Sequence, residues 1–218
     1  MRKARIAFRF GHYGDCYHGS QVQPDLPTVQ GTFMHIFKKK LKWTNERMPV
    51  PMASRTDSGV HVRQNGGYID IDQSRWDAMG EVGFMKAVGH QTPDSISLID
   101  ARQVNDDWSP RRALYRTYRY RLECMDGWVE PDLVQFEKLC SVFEGEHEWD
   151  NFCRRETNRS TTRVVESCKP WINSDRIIGF EIVGEAFIWN QVRRIANAIF
   201  AVTTNYESIE KVIEARDN

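Results

Sequence analysis

The feature that most limits what this chain can become is a hydrophobic period that keeps switching between two values. Ile6, Phe8 and Phe10 alternate with Arg5, Ala7 and Arg9, which makes a strand with one apolar and one cationic face. From Val29 to Leu41 the apolar residues Val29, Phe33, Ile36, Phe37 and Leu41 fall at helical spacing instead. Thr28 stands where an N-cap belongs, and Lys38, Lys39, Lys40 and Lys42 crowd the end, where cations suit the helix dipole. A strand over Gly67 to Asp72, a helix over Trp76 to His90 and a strand over Ile96 to Val104 complete this half.

The second half repeats the mixture. Arg116 to Glu123 alternates tyrosine with arginine, Leu133 to Phe143 is amphipathic, and Val164 to Trp171 and Ile177 to Val183 flank a polar turn at Asn173 to Arg176. The spacing then predicts a helix over Ile188 to Thr203 and a shorter one over Ser208 to Ala215. Such a mixture predicts an α+β fold of two similar domains, 1–105 and 106–218. Each is a mostly antiparallel sheet with helices on one face and the other face open to a ligand. The halves agree in element order, with no clear residue-level repeat.

Composition narrows the function classes. Lys plus Arg and Asp plus Glu are each 30, so the net charge is zero and no global field selects nucleic acid. Cys16, Cys124, Cys140, Cys153 and Cys168 are odd in number, widely spaced and without a C-x-x-C pair, which fits a reducing cytosol. No apolar run approaches the roughly 20 residues of a membrane-spanning helix. The basic start, Met1 to Ile6, leads into alternation rather than an apolar core with a cleavage site. A soluble, cytoplasmic protein is expected.

The densest polar passage, after Pro49 and Pro51, is Ser54-Arg55-Thr56-Asp57-Ser58-Gly59-Val60-His61-Val62-Arg63-Gln64. It joins an acid, two arginines, a histidine and a glycine between two elements, where binding and catalytic groups concentrate. By composition alone it reads as a turn, with Asp57 in an Asx bond and Gly59 at positive φ.

The passage is also similar to the G-R-T-D-A-G-V-H-A-x-x-Q signature of the tRNA pseudouridine synthase I (TruA) family. Arg55, Thr56, Asp57, Gly59, Val60 and His61 fit it, Ser54 and Ser58 are small replacements, and Gln64 is read as its closing glutamine. Tyr13-Gly14, Tyr17 to Pro24 and Thr28-Val29-Gln30-Gly31 resemble the family's Y-D-G-T-x-F-x-G-x-Q-x-Q-P and T-V-Q-G segments. Arg116 to Tyr120 resembles R-x-Y-x-Y, and Phe187 to Ala198 resembles F-x-x-x-M-V-R-x-I-x-G. These matches keep the family's order over residues 13 to 198. Three departures stand out. Pro110-Arg111 lies one residue closer to Tyr118 than the family's arginine, Asn197 replaces a glycine, and the chain ends at Asn218 before a P-A-x-G-L segment.

The resemblance implies isomerisation of uridine to pseudouridine in tRNA, in the anticodon arm around tRNA positions 38–40, by a homodimer without cofactor or metal. It implies a central RNA-binding cleft, Asp57 as the catalytic carboxylate, Tyr118 against the uracil and Arg193 as the cation that keeps Asp57 ionised. Asp57 acts either as a nucleophile or in removing a sugar proton. Arg55 implies a group that fills the space left by an extruded base. His61 is read as an RNA contact or as a hydrogen bond that stiffens the loop, and Tyr120 as core. Lys39, Arg111 and Arg116 belong to basic patches, as do Arg154, Arg155, Arg159 and Arg163. Interleaved with Trp43, Trp108, Tyr115 and Trp149, these patches suit the phosphates of a folded RNA. Two rivals stand beside this reading. One is a metal site from His147, Cys153 and Cys168, whose spacing fits no familiar zinc pattern. The other is a non-catalytic RNA-binding module on the same fold, which would have no use for Asp57.

Overall fold

A computed structural model describes residues 2–45, 50–157 and 159–217. Met1, Pro49 and Asn218, named above, lie outside them. The chain divides into two compact units, Met1–Ala113 and Leu114–Asn218. The division falls past residue 105 because a 3-10 turn at Pro110–Arg112, capped by Ser109, packs against the first sheet.

In the first unit, strands β1 (Lys3–His12), β2 (Val62–Asp72) and β3 (Ile96–Val104) form an antiparallel sheet in the order β2-β1-β3. The alternation of β1 does what its period dictates. Ile6, Phe8 and Phe10 are buried with Ile69 and Ile71 beneath helices α1 (Val29–His35) and α2 (Gln73–Gly89), which contribute Phe33, Phe84 and Val88. On the opposite face Arg5 lies across from Asp70 and Arg9 across from Asp100.

Three differences from the sequence expectation have physical causes. Helix α1 does not run on regularly to Leu41, because Ile36–Lys40 forms a π turn closed by Leu41 N–H donating to Ile36 O at 2.9 Å. The wider turn lets the consecutive Ile36 and Phe37 both face the core, where Phe37 stacks on Trp43. Helix α2 begins at Gln73 and is broken at Gly80, whose φ of 56° and ψ of −165° are closed to other residues. Strand β2 begins at Val62 rather than Gly67, since β1 continues to His12 and pairs it with Val62.

In the second unit, β4 (Arg116–Arg121), β5 (Gly145–Glu148), β6 (Thr162–Asn173) and β7 (Arg176–Gly184) form an antiparallel sheet ordered β4-β7-β6-β5. The expected turn between β6 and β7 is the residue pair Ser174 and Asp175, both at positive φ (48° and 63°), the backbone that a two-residue hairpin demands. Helices α3 (Leu133–Ser141), α4 (Gln191–Thr203) and α5 (Ile209–Asp217) share a core with Phe180 and Ile182 through Phe136, Ile195 and Val212. Strand β5 was not expected, because four polar residues at a sheet edge carry no hydrophobic alternation. Helix α4 starts at Gln191 rather than Ile188, because Asn190 takes a left-handed conformation at its N-cap. Among the described residues no helix is long and apolar enough to cross a membrane.

Candidate active site

The loop 54–61 is fastened at its base and along one side. At the base, Ser54 N–H donates to Asn65 Oδ1 at 3.2 Å and Asn65 Nδ2 donates to Ser54 O at 2.9 Å, closing the loop where β2 begins. Asn65 is buried, so both bonds are shielded from competing water. Counted from Ser54, the twelfth position of the family signature falls on Asn65 and not on Gln64. The geometry corrects that assignment, because Gln64 Oε1 instead accepts from Arg9 Nη1 at 3.3 Å on the open sheet face.

Along the side, the segment that follows β1 braces the loop residue by residue. Ser20 N–H donates to Thr56 O at 3.0 Å, and Thr56 N–H donates to Ser20 Oγ at 2.8 Å. Ser20 is itself fixed, since its carbonyl accepts from Gln30 N–H at 2.9 Å at the start of α1. Gln30 Nε2 then reaches Val50 O at 2.8 Å. Gly14 and Gly19 let backbones meet. A Cβ on Gly14 would stand 2.4 Å from carbonyl carbons of Gly59 and Val60, and one on Gly19, at φ +90°, would stand 2.8 Å from Thr56 O. Ser58 Oγ donates to Tyr17 O at 3.4 Å. Of the segments matched separately in sequence, Gly14, Tyr17, Gly19 and Ser20 brace the loop directly and Gln30 supports it through Ser20.

At the tip, Val60 N–H donates to Asp57 O at 3.3 Å around Gly59, which supplies the positive φ of +79° that the turn requires. Asp57 and Arg55 are exposed. His61 Nδ1 accepts from Gly14 N–H at 3.3 Å, and its Nε2 stands 3.6 Å from Asp15 Oδ1. These two contacts tie His61 to the segment after β1. Behind the loop, His12 is buried against Phe10 and Tyr17. Burial pushes its imidazole below the ordinary value of 6.5 and the charge of His61 adds to that, while a hydrogen bond with the Val60 backbone opposes it.

Arg55 and Arg111 line one depression of the first unit together with Ser20, Gln21, Gln30 and Met52. Lys39 is exposed in the π turn after α1, away from that lining. Two arginines of β1 are paired across the sheet. Arg5 makes a bidentate pair with Asp70 at 2.9 Å on each arm and lies 4.0 Å over the Tyr68 ring. Arg9 makes a bidentate pair with Asp100. The cationic face read from β1 is in fact neutralised across the strands, which a one-dimensional pattern cannot reveal.

In the second unit, Tyr118 is partly buried on β4 and meets Phe187 edge to face at 5.2 Å. The R-x-Y-x-Y strand and the Phe187 segment therefore touch. Tyr120 is half-buried and stacks on the buried Phe180 at 6.0 Å, packing against the core rather than within it. Arg116 bonds the Glu185 carbonyl, and Arg193 is exposed at the third position of α4. Cys153 and Cys168 are buried, and His147 Nε2 bonds Glu144 O at 2.8 Å. Among the described residues no three metal-binding side chains are grouped.

Comparison with known proteins defines first the class. A family model described as tRNA pseudouridine synthase matches residues 139–218, from α3 through α5. Longer matches then reach the Asp57 loop and β4. A tRNA pseudouridine synthase A from Archaeoglobus fulgidus is 32% identical over 94% of this chain and 72% of its own length. Those from Methanopyrus kandleri and Methanobrevibacter smithii are 31% and 30% identical, over 91% and 96% of this chain and 71% and 73% of their own lengths. The chain belongs to the tRNA pseudouridine synthase A family, whose members are isomerases.

Proposed function

We propose that this protein converts uridine to pseudouridine in tRNA, in the anticodon stem-loop around tRNA positions 38–40, with Asp57 as the catalytic carboxylate. The observation that carries the reading is the bracing of the Arg55-Thr56-Asp57 segment. A flexible polar turn would not need Ser20, Asn65 and two close-packed glycines to hold it. Fixing the backbone on both sides of one exposed carboxylate is what positioning a reacting group requires.

The reaction breaks the C1′–N1 bond, turns the uracil over and joins C1′ to C5, whose hydrogen leaves as a proton while the freed N1 takes one up, so atoms balance with no cofactor. Asp57 serves as nucleophile or in removal of a sugar proton, and either role needs the ionised form. The extruded nucleotide desolvates the Asp57 carboxylate as it enters. Arg193 offsets that desolvation, Tyr118 packs on the uracil, and Arg55 fills the vacated stack. Arg111, Arg116 and Lys39 contact phosphates, and His61 holds the loop beside the RNA. The enzyme works in the cytoplasm as a homodimer.

The test is release of tritium from tRNA labelled at uracil C5, with the modified position mapped by sequence. Wild-type protein releases it at one or more positions of the anticodon arm, and Asp57→Ala and Asp57→Asn release none above background while retaining the wild-type melting temperature. Equal release by wild type and Asp57→Ala would refute the role of Asp57. Binding of tRNA without release by any form would leave the non-catalytic RNA-binding module.

A further inference from the structure

The second unit carries a cation–π pair that the proposed chemistry does not use. The Arg154 guanidinium lies 4.1 Å from the centroid of the Trp189 ring, and Arg154 N–H donates to Trp189 O at 2.9 Å. Trp189 remains 44% exposed, so a large aromatic surface faces solvent with a cation against it. Both partners are anchored rather than loose. Phe152 and Cys153, just before Arg154, are buried, and Asn190, just after Trp189, turns the chain into α4 at φ 66°. Arg194, in the first turn of α4, reaches back to Asn151 O at 3.1 Å and ties the two segments a second time.

The surroundings are cationic. The Cys153 thiol is pushed up by burial and by Asp150, against the opposing charges of Arg194, Arg155 and Arg163. Of these, Arg155 is paired with Asp150 at 2.6 Å. Exposed indole, stacked guanidinium and adjoining cations form the combination on which unpaired nucleobases stack while phosphates are neutralised. A protein partner would favour the same aromatic. The arginine cluster, with Asp150 as the acid paired within it, favours a polyanion instead.

We propose that Trp189, stacked on Arg154, is a platform for an unpaired nucleobase of the RNA substrate, with Arg194 meeting the adjoining phosphate. The assignment rests on the reading of tRNA as substrate and adds to it a contact in the second unit. Base–aromatic stacking is worth about 1–3 kcal/mol by alanine substitution, which corresponds to roughly 5-fold to 150-fold in affinity.

The experiment measures tRNA binding by filter retention alongside C5 tritium release for wild type, Trp189→Ala, Trp189→Phe and Arg154→Gln. The platform predicts that Trp189→Ala weakens binding about fivefold or more, that Trp189→Phe and Arg154→Gln fall between, and that the loss appears in KM rather than kcat. Short single-stranded RNA should compete for the site and duplex RNA of equal length should not. A Trp189→Ala protein with wild-type binding and a reduced kcat would overturn the platform and make the pair a positioning device for α4. If Trp189→Ala lowers the melting temperature, the decision passes to Trp189→Phe and Arg154→Gln, and unchanged binding in both overturns it equally. Failure of all forms to release tritium, with binding still dependent on Trp189, refutes the catalytic reading and leaves the platform standing.

Discussion

Ser20 and Thr56 exchange two hydrogen bonds, with backbone N–H of Ser20 on the carbonyl of Thr56 at 3.0 Å and backbone N–H of Thr56 on Ser20 Oγ at 2.8 Å. These two bonds fasten the chain one residue before Asp57. Ser20 is buried, so these bonds are not traded freely for water. Ser20→Ala leaves the Thr56 N–H without its acceptor and should lower stability by about 1–2 kcal/mol. If the brace positions Asp57, kcat for pseudouridine formation should fall at least tenfold with little change in tRNA affinity. Calorimetry and single-turnover kinetics measure the two effects separately, and an unchanged kcat would show that the brace is only structural.

Gly14 tests the same brace sterically. A methyl group there would stand 2.4 Å from two carbonyl carbons of the Asp57 loop, and backbone cannot yield as a side-chain end can. Gly14→Ala should cost roughly 1–3 kcal/mol or displace the loop, with activity lost in either case. Gly59 has open space around it, so Gly59→Ala carries only the strain of its positive φ, about 1 kcal/mol. The melting temperature of Gly14→Ala should therefore lie below that of Gly59→Ala.

The lowered imidazole of His12 makes stability depend on pH in a defined direction. The folded state holds the ring neutral, so the unfolded chain takes up a proton first as pH falls below 6.5. The contribution of this site is complete above that value and is lost as pH falls from 6.5 through the folded-state value, with a slope of at most about 1.4 kcal/mol per pH unit for one proton. His12→Phe keeps a ring among Phe10 and Tyr17 and should flatten the melting temperature against pH between 6.5 and acid. An unchanged slope would place the titration elsewhere.

Salt dependence separates the paired arginines from those proposed to meet RNA. Removing a guanidinium that neutralises a phosphate should reduce the slope of log affinity against log salt by roughly 1. Arg111→Gln, proposed to meet a phosphate, should do so. Arg5→Gln and Arg9→Gln should not, since Asp70 and Asp100 already satisfy those guanidiniums across the sheet. A smaller slope in Arg9→Gln would mean that RNA displaces Asp100.

Much of this was legible in one dimension because the responsible forces are local. Alternation in β1 and β4, the Thr28 cap whose Oγ1 accepts from Gly31 N–H at 3.2 Å, and the polar turn before Arg176 depend on residues a few places apart. The Asp57 loop was legible for another reason, since its letters match a family pattern, although the pattern itself gives no account of why those letters are needed. The account lies in partners distant in sequence. Ser20 and Gly14 lie about 40 residues from the backbone they support, and Asn65 closes the base of the loop from β2.

What the sequence by itself determined is therefore the class of fold, the order of its elements apart from β5, and the family, because period, capping and motif are properties of short segments. Tertiary structure alone decided which charges remain available. Arg9 and Arg55 look alike in sequence, yet one is paired with Asp100 across the sheet while the other lines a depression beside the Asp57 loop. Whether a guanidinium is satisfied depends on which strand lies next to it, and that is settled only when the chain has folded.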